Sequence, residues 1–291
     1  MKLPSAVQLP SGAALDFSGP ALIMAIVNCN DDSFYSPSRA LGDKALEMAL
    51  AAEKDGASII DFGGESSRPG SLYISLDEEL ERVIPVITAF RKRSSLPVSV
   101  DTRKAAVARS ALDAGADIIN DISGLEDDPD MASVCAEYGA AVVLMHKKGI
   151  PLTMQEQPHY DDLAGELRFW FRSAADRAIA AGISAGKIIF DPGIGFGKTL
   201  EHNLEIIRRI GHLTRLAESG GKDYPVLAGL SRKSFIGVVT GRDPIDRLAG
   251  TLAANAAAIM GGADIIRVHD VREHRDLVKM LFALRPAESG Y

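Results

Sequence analysis

The chain alternates between two kinds of segment. Short, continuously apolar runs recur eight times, at 22–28, 58–61, 97–101, 117–120, 141–146, 187–191, 225–229 and 264–269. Runs that are apolar throughout, rather than at every second position, suit strands buried on both faces, as in a parallel sheet. The gaps between them carry helix-like stretches, clearest at 42–54, 76–93, 104–114, 200–216 and 245–260, and a last one follows at 272–284. Several of these stop at glycine, as in Asp55-Gly56-Ala57, Ala114-Gly115-Ala116 and Gly261-Gly262-Ala263-Asp264, the usual chemistry of a helix C-terminus. Eight strand–helix alternations fit an α/β fold of the closed (β/α)8, or TIM-barrel, type better than an open doubly wound sheet. Residues 21–291 then form one barrel domain, and 1–20 read as a short N-terminal extension or hairpin that closes the barrel bottom.

Composition narrows the function classes. The 291 residues carry a net charge of −7, and an acidic surface argues against nucleic-acid or membrane-surface partners. Cys29 and Cys135 lack metal-like spacing and suggest no disulfide framework. The apolar run 21–27 is too short to cross a bilayer, and no secretory signal pattern precedes it. These features point to a reduced, cytoplasmic setting.

Most apolar runs end in a residue able to do chemistry: Asn28, Asp61, Asp101, Asn120, His146 and Asp191, then Ser231 just past the seventh run, and His269. Each alone could be a helix cap or turn former. Together they matter more, because barrel strands converge at their C-terminal ends and the active site sits there. Four cations share that end: Arg68, Arg232, Lys233 and Arg267. A charge inside a strand is costly unless paired. Arg267 and His269 are two positions apart and so face the same side, an arrangement suited to an anionic ligand. Glycine-rich segments follow the second run (Gly63-Gly64-Glu65-Ser66-Ser67-Arg68-Pro69-Gly70) and the sixth (Asp191-Pro192-Gly193-Ile194-Gly195-Phe196-Gly197-Lys198). The second is no P-loop, because Pro192 stands where the first glycine is required. Glycine here lets backbone approach a flat ligand closely. The histidines make no metal motif, and His159, His202, His212 and His274 read as surface positions on helical stretches. No G-x-S-x-G elbow is present.

These segments, together with Asp32-Ser33-Phe34, Val100-Asp101-Thr102, Ile119-Asn120-Asp121-Ile122, Leu144-Met145-His146, Thr153-Met154-Gln155, Ser231-Arg232-Lys233-Ser234 and Arg267-Val268-His269, resemble dihydropteroate synthase over roughly residues 20 to 285. The resemblance implies a (β/α)8 barrel that joins 6-hydroxymethyl-7,8-dihydropterin pyrophosphate to p-aminobenzoate, with Mg2+ assisting. It assigns the pterin to Asp101, Asn120, Ile122, Met145, Asp191, Phe196, Lys233 and Arg267. It assigns p-aminobenzoate, and hence sulfonamides, to Phe34, Ser67, Arg68, Pro69, Lys233 and Ser234. The pyrophosphate falls to Asn28, Ser67, Arg267 and His269, with Asn28 as a metal ligand, and a homodimer is expected. The catalytic set implied is Asp101, Asp191, Lys233, Arg267 and His269.

The first loop departs from the family's Asn-Val-Thr-Pro-Asp-Ser-Phe-Ser-Asp-Gly-Gly. Here Asn30 and Asp31 replace Thr-Pro, Ser36 replaces the second aspartate, and Pro37-Ser38 replaces the glycine pair. Two alternatives stay open: a pterin-binding paralogue without turnover, and a methyltetrahydrofolate-dependent methyltransferase. The latter would not need Ser231-Arg232-Lys233-Ser234, and the chain lacks D-x-H-x-x-G.

Overall fold

The computed structural model describes residues 6–29, 38–66, 71–149, 153–214, 216 and 224–285, with backbone only at 38–41. Two short strands, β1 (Ala6–Gln8) and β2 (Ala14–Asp16), pair antiparallel as the expected hairpin. Eight parallel strands follow. They are β3 (Leu22–Asn28), β4 (Ile59–Gly63), β5 (Val98–Asp101), β6 (Ile118–Asp121), β7 (Ala141–Met145), β8 (Ile188–Asp191), β9 (Leu227–Ala228) and β10 (Ile265–Val268). Six lie inside the expected apolar runs, while β4 continues two residues past its run and β6 one. The hydrogen-bonded order is β8-β7-β6-β5-β4-β3-β10-β9, and a parallel bridge from Phe190 to Val226 joins the two ends. The sheet is thereby a closed ring.

Nine helices among the described residues wrap the ring: α1 (Ser38–Asp55), α2 (Leu76–Arg91), α3 (Ala105–Asp113), α4 (Met131–Tyr138), α5 (Leu163–Ala180), α6 (Leu200–Leu213), α7 (Ser234–Thr240), α8 (Leu248–Gly261) and α9 (Val271–Ala283). Local chemistry sets their ends. Ser75 accepts a hydrogen bond from the Glu78 N–H, and three acids occupy the first turn of α2, where the helix dipole favours negative charge. Thr199 and His202 form a reciprocal capping box on α6.

Period two within each strand divides its residues between two environments. Outward positions such as Ala25, Phe62, Val100 and Leu144 pack against the helices. Inward positions form a second core of Met24, Ile59, Ile118, Ala141, Val143, Ile189, Leu227 and Ile265, onto which Val7, Leu9 and Leu15 of the hairpin pack. The barrel floor is thus plugged. Ser11 N–H donates to Asp117 Oδ1 at 3.1 Å, and Asp117 also pairs with Arg91. Arg91 reaches Gly115 O at 2.7 Å as well. This buried ion pair ties hairpin, helix and strand together at the end of the barrel away from the strand tips.

Candidate active site

Continuing the same inward parity toward the strand tips changes the chemistry. Two residues above Ile59 stands Asp61, and two above Ile118 stands Asn120. Two above Ile189 stands Asp191, and two above Ile265 stands Arg267. Ser99 and Asp101 continue β5, and Met145 continues β7. One rule that builds an apolar floor therefore delivers a polar ceiling.

The polar residues meet as a connected group. Arg267 donates from Nε to Asp61 Oδ2 at 2.6 Å and from Nη2 to Asp101 Oδ2 at 2.8 Å. Asn120 Nδ2 donates to the same Asp61 oxygen at 3.3 Å, and Asn120 is in register with Asp101. Holding one edge of the guanidinium this way leaves its flat face and Nη1 to be offered to a ligand. Burial raises Asp101 to about 7, with Arg267 opposing and Asp61 reinforcing the rise. Burial works against a charged Arg267, yet Asp61 and Asp101 hold its pKa above the ordinary arginine value.

The second half of the group is Asp191 with Lys233. Asp191 accepts the Gly193 N–H at 2.7 Å. A β-carbon at Gly229 would lie 3.8 Å from both Asp191 Oδ2 and Lys233 Nζ, so the two charges face the same space above Gly229. Lys233 Nζ donates to the Ile194 carbonyl and lies 4.7 Å from the Phe196 ring centroid. Burial raises Asp191, and Lys233 opposes that rise. Burial lowers Lys233 to about 8 against the pull of Asp191. Beside these charges, Ile122, Met145, Met154 and Phe196 form an apolar cluster separate from both cores. Two acid–cation pairs, Asp101 with Arg267 and Asp191 with Lys233, beside a sulfur- and aromatic-lined slot suit a flat, hydrogen-bonding heterocycle.

His269 is oriented by Ser231, whose Oγ lies 2.9 Å from Nδ1 and accepts the His269 backbone N–H at 3.3 Å. Asn28 stands exposed at the tip of β3, and Ser234 is exposed at the start of α7.

A family model described as pterin binding enzyme matches residues 24–269. A dihydropteroate synthase of Synechocystis is 44% identical over 95% of this chain and 94% of its own length. The chain belongs to the dihydropteroate synthase family. Among solved members, the Xanthomonas albilineans dihydropteroate synthase with 4-aminobenzoic acid superposes with a TM-score of 0.86 at 39% identity, covering 97% of this chain and 99% of that one. The Burkholderia cenocepacia dihydropteroate synthase complexed with 7,8-dihydropteroate gives 0.87 at 38% identity, covering 98% of each.

Of the residues that the family resemblance named for the pterin, Asp101, Asn120, Asp191, Lys233 and Arg267 gather at the strand tips, and Ile122, Met145 and Phe196 share the slot. Phe34, Ser67, Arg68, Pro69 and the altered first-loop positions 30–37 lie outside the described residues. Three sequence expectations change. Arg232 does not face the mouth, because its guanidinium grips Asp270 through Nε at 3.0 Å and Nη2 at 2.7 Å and donates to the Ile245 carbonyl. His146 turns outward, as its parity dictates, and packs edge-to-face on Trp170 at 5.2 Å. His274 is not at the surface. It is fully buried, with Nε2 3.0 Å from Asn255 Nδ2.

Two functional neighbours were not assigned from sequence. Asp61 was visible as a polar strand tip, but its link to Arg267 spans 206 positions. Met154 completes the slot, and its only signal was its place in the matched Thr153-Met154-Gln155 segment.

Proposed function

We propose that this chain condenses 6-hydroxymethyl-7,8-dihydropterin pyrophosphate with p-aminobenzoate, giving 7,8-dihydropteroate and pyrophosphate. The observation that carries this reading is the cluster at the strand tips, where Asp101 is paired with Arg267, Asp191 lies close to Lys233 and Asn120 is bonded to Asp61, beside the apolar slot of Ile122, Met145, Met154 and Phe196. Family members solved with 4-aminobenzoic acid and with 7,8-dihydropteroate support the same substrates here.

The carboxylates accept N–H donors along the pterin edge, and Met145, Ile122 and Phe196 flank its faces. The bond from the exocyclic carbon to the pyrophosphate oxygen breaks with its electron pair leaving on oxygen. The electron-rich ring shares the positive charge that develops, so the path is SN1-like, and Asp101 and Asp191 stabilise the cationic ring electrostatically. Arg267 and His269 face the departing pyrophosphate. The neutral aniline nitrogen then forms the new C–N bond and releases a proton, so no strong base is needed.

Mg2+ fits the donor set. Asn28 offers one amide oxygen at the mouth, and among the described residues no group of three His, Cys, Asp or Glu could hold a metal. Mg2+ is commonly held by substrate phosphates and water with few protein ligands. Bound there, it would supply neutralising charge to the leaving group.

Exposed Val238, Val239, Ile245, Met260, Met280 and Leu284 on and between α7, α8 and α9 support a homodimer built on that side. Two buried free thiols and the acidic chain support a cytoplasmic setting. No described helix is long and apolar enough to cross a membrane.

Pyrophosphate release with and without p-aminobenzoate tests the reading. Amine-dependent release is expected. Tight pterin binding with no release would instead indicate a binding paralogue.

A further inference from the structure

Behind the glycine turn after β8 lies a lysine that the mechanism does not use. Lys198 is 3% exposed. Its Nζ has three acceptors within reach: His146 Nδ1 at 3.0 Å, His146 O at 3.3 Å and Phe196 O at 3.0 Å. Three acceptors match the three N–H donors of an ammonium and leave a neutral amine one donor short.

The placement of the two carbonyls gives this its meaning. One follows Met145 by a single residue, and the other belongs to Phe196. These are two of the residues that line the slot. We propose that Lys198 is a positioning residue, stapling the segment after β7 to the turn after β8 and so fixing the separation of Met145 and Phe196.

Other bonds join the two segments, from His146 N–H to Asp191 O at 2.9 Å, from Gln155 Nε2 to Gly195 O and from Tyr160 OH to Gly197 O at 3.0 Å. Lys198, however, is the side chain that takes the Phe196 carbonyl and the His146 carbonyl together. Gly193 and Gly197 press their α-carbons onto the 146–148 backbone, where added β-carbons would lie 1.9 Å from His146 O and 2.1 Å from Lys148 O. Close contact of this kind holds only if something draws the two backbones together. Gly195 N–H is held separately by Asn203 Oδ1 at 2.8 Å, which fixes the turn to α6 but not to β7. His146 serves as an acceptor because it is neutral: burial, then Lys198 and Lys148, push its pKa down to about 2. Burial also lowers Lys198 to about 7, with Asp191 opposing and Lys233 and Lys148 reinforcing.

The inference rests on the pterin reading for its functional consequence, and the experiment separates the two. Lys198→Met and Lys198→Gln are close in shape, so they share the packing change, but only glutamine keeps N–H donors. Pterin pyrophosphate binding without amine should weaken about tenfold or more in K198M, the scale of losing a charged hydrogen bond, and less in K198Q. The KM for p-aminobenzoate at saturating pterin should stay near the parent value. Arg91→Met, which loosens the barrel floor, should lower thermal stability without moving pterin affinity, and so controls for general destabilisation. Hydrogen exchange of the Gly195 and Phe196 amides, faster in K198M than in K198Q, reads the staple with no ligand present. Should K198M fail to fold, K198Q against the parent carries both measurements. Equal affinity and equal exchange in K198Q, K198M and parent would overturn the proposal. Absence of pterin binding in the parent protein, with exchange ordered as expected, would instead overturn the functional reading alone.

Discussion

Arg267 Nε lies 2.6 Å from Asp61 Oδ2, and the Asp61 side chain is completely excluded from solvent. This pair joins the second and last strands of the ring and fixes the guanidinium before any ligand arrives. Asp61 is therefore the residue that orients Arg267, while Asp101, on the other nitrogen, is the acid that can also face a ligand.

Asp61→Asn should be the more damaging of the two amide substitutions for stability. Its amide oxygen can still take the donors from Arg267 and Asn120, but the buried guanidinium loses its anion and the new N–H2 falls where Asp61 Oδ1 has no partner. Removing one partner of a buried pair costs about 3–5 kcal/mol. Asp101→Asn should cost less stability and more pterin affinity. Thermal unfolding and calorimetric titration of both variants would show the order, and a D101N less stable than D61N would contradict these roles.

The pH profile should be bounded by two of the shifted groups that face the ligand, Asp101 and Lys233. Asp101 is raised to about 7 by burial, so its ionised form is lost as pH falls through 7. Lys233 is lowered to about 8 by burial, so its charged form is lost as pH rises through 8. The kcat/KM for the pterin substrate, which reports the free enzyme, should be bell-shaped and maximal between these values. The residual activity of D101N should lose the acid limb, and that of Lys233→Met the basic one. Steady-state rates from pH 5.5 to 9.5 test this, where the range is about the span over which both groups titrate.

Asp191→Asn and Lys233→Ala should each abolish most turnover while the fold persists. Both side chains face the ligand space, and neither lies in the cores. A charge-assisted contact is worth about 1.5–3 kcal/mol, so pterin affinity should fall by about tenfold to a hundredfold in each. Circular dichroism would verify the fold. Near-normal rates in both would contradict the assignment.

Glycines 193 and 139 should separate strain from collision. Both have positive φ, 63° and 59°. A β-carbon at Gly139 meets nothing within 4 Å, whereas at Gly193 it would collide with the His146 carbonyl. Gly139→Ala should cost about 1 kcal/mol, the usual left-handed penalty. Gly193→Ala should cost several times that and lose pterin binding as well. Urea unfolding of the two variants decides it.

How much of this could be read from the chain differs by scale. The eight strands were legible because strands covered on both faces need apolar residues at every position. Asp101, Asn120 and Asp191 were legible because each ends such a run, and Arg267 because a charge inside a buried strand needs a partner. What sequence hid are matters of direction and partnership. Arg232 and Lys233 are adjacent cations, yet a left-handed φ of 55° at Arg232 sends one to Asp270 and the other to the slot. Lys198 follows a glycine turn, where a lysine ordinarily reads as solvent-facing. His274 looked like a surface histidine, because nothing local announces that Asn255 is stacked beneath it. β9 is only two residues long, since the ring needs little more than a bridge there to close.

The hairpin under the barrel has a further consequence. With the barrel interior filled by Met24, Ile59, Ile118, Val143 and Ile189, and Val7, Leu9 and Leu15 packed beneath them, the space at the strand tips opens on one side only. A ligand seated on Asp191 and Asn120 is therefore expected to bind ahead of one held nearer the open side, an order that inhibition kinetics would reveal. The joined product must then back out the way its halves came in. The filled barrel interior would then shape the sequence of events as much as the groups that touch the reactants.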